Sequence, residues 1–158
     1  MAEATLTQPE IVTERLRLRR LRPRDAALIG LYASDKRVAW STATIPHPYP
    51  SGAAEAFIAR ALAPGATELS WAIDTGADDE NGLIGMIGLK PRGAGVVEIG
   101  YWVAPAFWNT GYASEAVEAV WVSAWSESVQ AYRRRVGADE PVRIGVGVQQ
   151  LVVADGAG

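Results

Sequence analysis

Between residues 15 and 21 the chain reads RLRLRRL, apolar and basic positions alternating with the period of two that marks a strand. The period then lengthens. Pro23 suits the first turn of a helix, Asp25 adds favourable charge there, and Ala26, Ala27, Leu28, Ile29, Leu31 and Tyr32 carry the helix on until Ser34-Asp35 closes it. Residues 41–52 hold three prolines and read as loop. Ser51 is placed to cap a second helix over 53–62, which Pro64-Gly65 ends. Two strands follow at 69–75 and 83–89, joined across the polar GADDENG turn as a hairpin. After a turn at 91–95 comes a long strand over 96–103, rich in β-branched and aromatic residues and stopped by Pro105. A further helix is predicted to begin near Gly111–Ala113 and run at least to Trp125. Residues 1–11 read as a loose leader. The order β-α-α-β-β-β-α, with tight turns between consecutive strands, predicts antiparallel pairing with helices covering the sheet.

Composition narrows the picture. A chain of 158 residues with 49% hydrophobic positions is enough for one domain around a single core, so 1–158 reads as one unit. It has no run of about 18 apolar residues, so no membrane partner is expected. The N-terminal stretch lacks an apolar signal core, which makes the cytoplasm the expected location. Cysteine is absent, which excludes disulfides, thiolate catalysis and cysteine-bound zinc, and no metal site is expected. The single histidine, His47, comes with no GxSxG elbow. A net charge of −3 argues against nucleic acid as a partner. Arg15, Arg17, Arg19, Arg20, Arg22 and Arg24 do cluster; at strand spacing the expected arrangement is a solvated face carrying Arg15, Arg17 and Arg19, the alternative being a patch for an acidic ligand or nucleic acid.

The chemistry concentrates in VVEIGYWVAPAFWNTGYASEA, residues 96–116. A strand runs through a short loop into a helix whose first turn holds Gly111 and Ala113. Small residues there let the backbone approach a ligand. Helix N-termini leave N–H groups unpaired and carry partial positive charge, so the place suits an anion such as a pyrophosphate. The segment lacks the GKS or GKT of a P-loop and the glycine spacing of a dinucleotide fingerprint.

Glu98-Ile99-Gly100-Tyr101-Trp102, followed by the run from Pro105 through Trp108, Gly111-Tyr112-Ala113 and Glu115-Ala116, resembles the cofactor core of the GNAT acetyltransferases, in particular the branch that acetylates ribosomal-protein N-termini. Weaker resemblance covers about residues 12–127. Asn109 stands where that branch usually has glycine, and Thr110 where a basic residue is common. The resemblance implies an α+β fold, a mixed and mostly antiparallel sheet flanked by helices. It implies acetyl-CoA as co-substrate, with Trp102, Val103 and Ala104 pairing their backbone with the pantetheine arm. Trp108, Asn109, Thr110, Gly111, Tyr112, Ala113 and Ser114 would cradle the pyrophosphate. Glu115 reads as an acid favourable in a first helical turn.

Acetyl transfer needs a neutral amine. An α-amine titrates near ~8 and a lysine near ~10.4, so neutralising them at pH 7 costs about 1–1.4 and about 4.6 kcal/mol respectively. A weak base suffices for the former. Glu98 is the candidate: it shares a strand face with Gly100 and Trp102, and burial there would raise its pKa toward a useful range. The loop with His47 and Tyr49 falls where the family forms its acceptor pocket, which would take a peptide or small-molecule amine. The alternatives are a non-catalytic acyl-CoA-binding module and a structural domain with a decayed site.

Residues 128–158 depart from the family: they lack the expected strand, the Asn-Pro-x-Ser helix start, and the closing helix and hairpin. Divergence and a shifted reading frame both stand open, because the degenerate code one nucleotide forward through 130–142 permits an Asn-Pro turn. The C-terminal part is therefore expected to be atypical or incomplete. An apolar strand over 142–153 would replace a native strand or pair with a second copy as a homodimer.

Overall fold

The structure, a computed structural model, describes residues 8–42, 45–76, 82–91, 97–123 and 143–144. Strands β1 (Ile11–Val12) and β2 (Arg17–Arg20) lead through a 3-10 turn at Pro23–Asp25 into helices α1 (Ala26–Ala33), α2 (Lys36–Trp40) and α3 (Ala53–Leu62). Strands β3 (Leu69–Asp74), β4 (Leu83–Pro91) and β5 (Val97–Val103) follow. A second 3-10 turn, Pro105–Phe107, precedes helix α4 (Tyr112–Ser123), and β6 (Arg143–Ile144) is the last described element.

The strands lie in one sheet in chain order, β1 to β6. Every pairing from β1 to β5 is antiparallel; hairpin connections impose this on β1–β2, β3–β4 and β4–β5, whereas β2 and β3 are joined through the three helices. Only β6 runs parallel to its neighbour, with Glu98 opposite Arg143 and Ile99 opposite Ile144. Alternation divides the sheet into two apolar faces. Leu18, Trp71, Ile87, Leu89, Ile99 and Tyr101 pack with Ala116, Val117 and Val120 of α4. On the opposite face Ala72, Met86 and Trp102 pack with Ile29 of α1, Val38 of α2 and Ile58 of α3. The antiparallel pairing with covering helices expected from the element order, and the α+β fold implied by the resemblance, are the ones observed.

Several local expectations are corrected. Residues 8–12 are not loose: Ile11–Val12 pairs with β2, Gln8 Nε2 donates to Ser70 O (2.7 Å), and Pro9 O accepts from the Trp71 indole (2.7 Å). Arg19 does not lie on a solvated face. It is 2% exposed, donating to Asp74 Oδ2 through Nε (2.7 Å) and to both Asp25 oxygens through its two Nη atoms (2.9 Å each). A planar fork with five donors is the side chain able to satisfy two carboxylates at once. Asp25 therefore serves this buried cluster, whose partners lie on β3 and beside α1, and it also accepts from the Arg22 backbone N–H (2.7 Å). Gly52, not Ser51, precedes α3, at a φ of 78° and without a side-chain cap. Helix α2 was not anticipated: Asp35 caps it by accepting from Arg37 N (2.9 Å). The predicted ends of α4 at Trp125 and of the tail at 128–158 lie outside the described residues, apart from Arg143–Ile144. Among the described residues no helix is long and apolar enough to cross a membrane.

Candidate active site

Strand β5 is the backbone of the site. Ala104 N donates to Ile84 O (2.8 Å), which fixes the phase of the β4–β5 ladder. Backbone groups alternate in direction along a strand, so those of Tyr101 and Val103 turn to the other edge. Among the described residues β6 pairs only with Glu98 and Ile99, and no described strand continues along that edge. The Val103 carbonyl there accepts from the Trp108 indole N–H (2.6 Å), tying the following loop to the strand end. Of the three residues Trp102, Val103 and Ala104, then, Val103 is the one whose backbone faces away from β4. The Trp102 side chain is 8% exposed and meets Tyr32 edge-on, with ring centroids 6.5 Å apart.

Beyond β5 the loop turns twice through left-handed backbone, at Asn109 (φ 60°) and Gly111 (φ 82°). Asparagine is among the few non-glycine residues that adopt this conformation readily, which is why it can replace glycine at 109. The turn leaves the N–H groups of Asn109, Thr110, Gly111, Tyr112, Ala113 and Ser114 without an acceptor among the described residues; the first helical bond is Glu115 N to Gly111 O (3.0 Å). Six consecutive donors, exposed at Asn109, Thr110, Gly111 and Ser114 and set at a helix start, suit an anion with several oxygens. A pyrophosphate fits that donor set.

Glu115 has a larger role than a helix-end charge. It accepts from Thr13 Oγ1 (2.6 Å), Arg15 N (2.9 Å) and Arg15 Nε (2.7 Å). Partial burial pushes its carboxyl upward, but the bonds from Thr13 and Arg15 outweigh that and hold it below its usual value.

A cavity of about 890 Å³ opens on the α1–α3 face of the sheet. Its wall includes Glu98, Gly100 and Trp102 from β5, Ile29 from α1, and Tyr49 and Phe57. Volume and mixed lining match a small-molecule or peptide-end site. Glu98 is half-buried at this wall, on the strand face expected for it. Burial, together with the nearby Glu55, pushes the Tyr49 phenol up, so it is a neutral donor at ordinary pH. His47 is exposed and is not among the lining residues, although it sits two positions from Tyr49. No group of His, Asp and Glu among the described residues could hold a metal ion. Sequence reasoning missed Arg15, Tyr32 and Phe57; Arg15 carried a signal only in its place within Thr13-Glu14-Arg15-Leu16.

The arrangement is that of an α+β domain in which a helix start, its six N–H groups without an acceptor among the described residues, follows the end of β5, with a cavity on the neighbouring sheet face. The chain belongs to the GNAT acetyltransferases, for the acetyltransferase (GNAT) domain model matches residues 15–144. It resembles the crystal structure of a GNAT-family acetyltransferase from Bacillus anthracis, with 27% identity, a TM-score of 0.62 and coverage of 75% of this chain and 68% of that one. The ribosomal L7/L12 α-N-protein acetyltransferase in complex with coenzyme A is similar in fold at 15% identity, with a TM-score of 0.60 over 81% and 82% of the two chains. So is the microcin C7 self-immunity acetyltransferase in complex with acetyl-CoA and AMP, at 15% identity and a TM-score of 0.59 over 84% of each chain. Among curated protein sequences none matches the chain.

Proposed function

We propose that this acetyltransferase moves the acetyl group of acetyl-CoA to a primary amine, a protein N-terminus or a small amine, held in the cavity beside Glu98. The observation that carries the reading is the run of six N–H groups at 109–114 that have no acceptor among the described residues, directly after the end of β5. These donors would hold the pyrophosphate, with Trp108 bracing the loop against Val103 O. The backbone of Val103, flanked by Trp102 and Ala104, would pair with the pantetheine amide as an added strand. The thioester then reaches toward Gly100 and Trp102, where the sheet opens to the cavity.

In the transfer the amine nitrogen forms a bond to the thioester carbonyl carbon and the C–S bond breaks. The amine proton passes to Glu98, directly or through one water, and Glu98 returns to its carboxylate as solvent water relays a proton to the departing thiolate. Tyr49, a neutral donor on the cavity wall, would orient the acceptor together with His47 at the rim. An α-amine needs only about 1–1.4 kcal/mol to lose its proton at pH 7, which a single carboxylate can supply. The reaction as written uses no metal, and its proposed setting is the cytoplasm.

A thiol-release assay across N-terminal peptides, free amino acids, polyamines and aminoglycosides tests this, alongside calorimetry with acetyl-CoA. Amine-dependent release of coenzyme A is expected with one of these classes. Binding without such release would leave a non-catalytic acyl-CoA module, and absence of binding would remove the site altogether.

A further inference from the structure

The loop that would carry the pyrophosphate has no basic side chain of its own between Pro105 and Ala116. Its cation comes from the other end of the chain. Arg15, at the tip of the β1–β2 hairpin, donates through Nη1 to Thr110 O (2.9 Å) and through Nε to Glu115 Oε2 (2.7 Å). Its guanidinium carbon lies 4.4 Å from the centre of the Tyr112 ring. A Cβ built on Gly111 would sit 3.3 Å from its Nη2. One side chain therefore contacts Thr110, Tyr112 and Glu115 and fills the space where a Gly111 side chain would stand. The hairpin tip is itself fixed, since Thr13 N donates to Leu16 O (2.8 Å) while Thr13 Oγ1 accepts from Leu16 N (2.9 Å) and donates to Glu115.

We propose that Arg15 is a positioning residue of the phosphate loop: by holding the Thr110 carbonyl from behind, it aims the Gly111 N–H at the ligand. The reason is the planarity of the peptide unit. In a trans peptide the C=O and N–H point in opposite directions, so fixing the Thr110 oxygen fixes the Gly111 hydrogen. Gly111 has left-handed backbone and is the most permissive residue of the loop, so without that bond this peptide is the one most free to flip. Glu115 orients the guanidinium for the purpose, and the stacked Tyr112 ring limits its motion. An isolated exposed ion pair contributes little, but a fork fixed by two acceptors and an aromatic face is far better defined. The proposal rests on the reading of 108–114 as the pyrophosphate site.

The test compares acetyl-CoA with acetyl-pantetheine, which lacks the pyrophosphate, by calorimetry on the full chain. In Arg15→Gln the dissociation constant for acetyl-CoA should rise about tenfold, as expected for losing a hydrogen-bonded charged contact. That for acetyl-pantetheine should stay within about twofold. Arg15→Lys, which keeps the charge but not the fork, should not restore acetyl-CoA affinity. Glu115→Gln keeps the shape of its side chain and should move affinity the same way, which provides the test should the Arg15 variants fail to fold. Unchanged acetyl-CoA affinity in a folded variant, or equal weakening of both ligands, overturns the positioning role. If the unaltered protein binds acetyl-CoA no better than acetyl-pantetheine, the pyrophosphate reading fails first and the proposal falls with it.

Discussion

At Gly111 the backbone conformation and the space argue together. The residue has a φ of 82°, where L side chains are strained, and a Cβ would press on Arg15 Nη2 at 3.3 Å. Gly111→Val should therefore bind acetyl-CoA at least about tenfold more weakly while the core stays folded. Calorimetry with a parallel melting curve checks this, and full affinity in a folded variant would move the pyrophosphate elsewhere. Glu98 is a separate case, because its proposed work depends on pH. With Glu98→Gln, turnover should drop roughly ten- to a hundredfold at pH 7 and recover above about pH 8, where the free α-amine is abundant. A variant as fast as the parent at pH 7 would take Glu98 out of the mechanism.

Contacts between elements hold the site in place. Strands β4 and β5 approach so closely at Gly85 that a Cβ there would fall 2.2 Å from Trp102 O and 2.9 Å from the Val103 Cα. Gly85→Ala must push β5 away at the residues proposed to meet the pantetheine, so a loss of about 1–3 kcal/mol in stability is expected, read from denaturant midpoints. The buried Arg19 links β2, β3 and the turn before α1. Arg19→Ala would strand two carboxylates, with Asp25 fully buried, and should cost about 3–5 kcal/mol. The docking of the β1–β2 tip on α4 follows pH. Glu115 has a folded pKa below its unfolded value, so its contribution is present above the ordinary carboxylate range and is lost as pH falls through the folded pKa. The difference in melting temperature between the parent and Glu115→Gln should accordingly be present at pH 7 and shrink toward zero in acid. A difference that persists unchanged at low pH would mean that the Glu115 charge is not what anchors the hairpin.

At the scale of the molecule, β6 is the described neighbour of β5 on its outer edge. The described part of the tail, Arg143–Ile144, meets β5 only at Glu98 and Ile99, and the apolar run at 142–153 otherwise lies outside the described residues. We expect that run to support self-association, with sedimentation giving a homodimer; a monomer at all concentrations would dispose of that expectation. The coding DNA bears on the same segment. A shifted frame that encodes no Asn-Pro turn would leave divergence as the origin of the tail.

Much of this architecture could be read from local pattern. Alternation located β2 and the three central strands to within two residues, and helix α3 fell on 53–62 as the apolar spacing and flanking Pro and Gly required. The loop at 108–114 was legible because a strand, a proline stop and a small-residue helix start follow one another directly in the sequence. Helix α2 was not, for five residues give too short a period to detect. Nor could the sequence assign the arginines. Arg15, Arg17 and Arg19 share one strand period, yet Arg17 meets Glu10 in solvent, Arg19 is buried between Asp25 and Asp74, and Arg15 reaches Thr110 and Glu115. Periodicity fixes which way a side chain points; the partner it finds there, across 55 residues for Arg19 and Asp74 or 100 for Arg15 and Glu115, exists only once the sheet is assembled and α4 has packed on it.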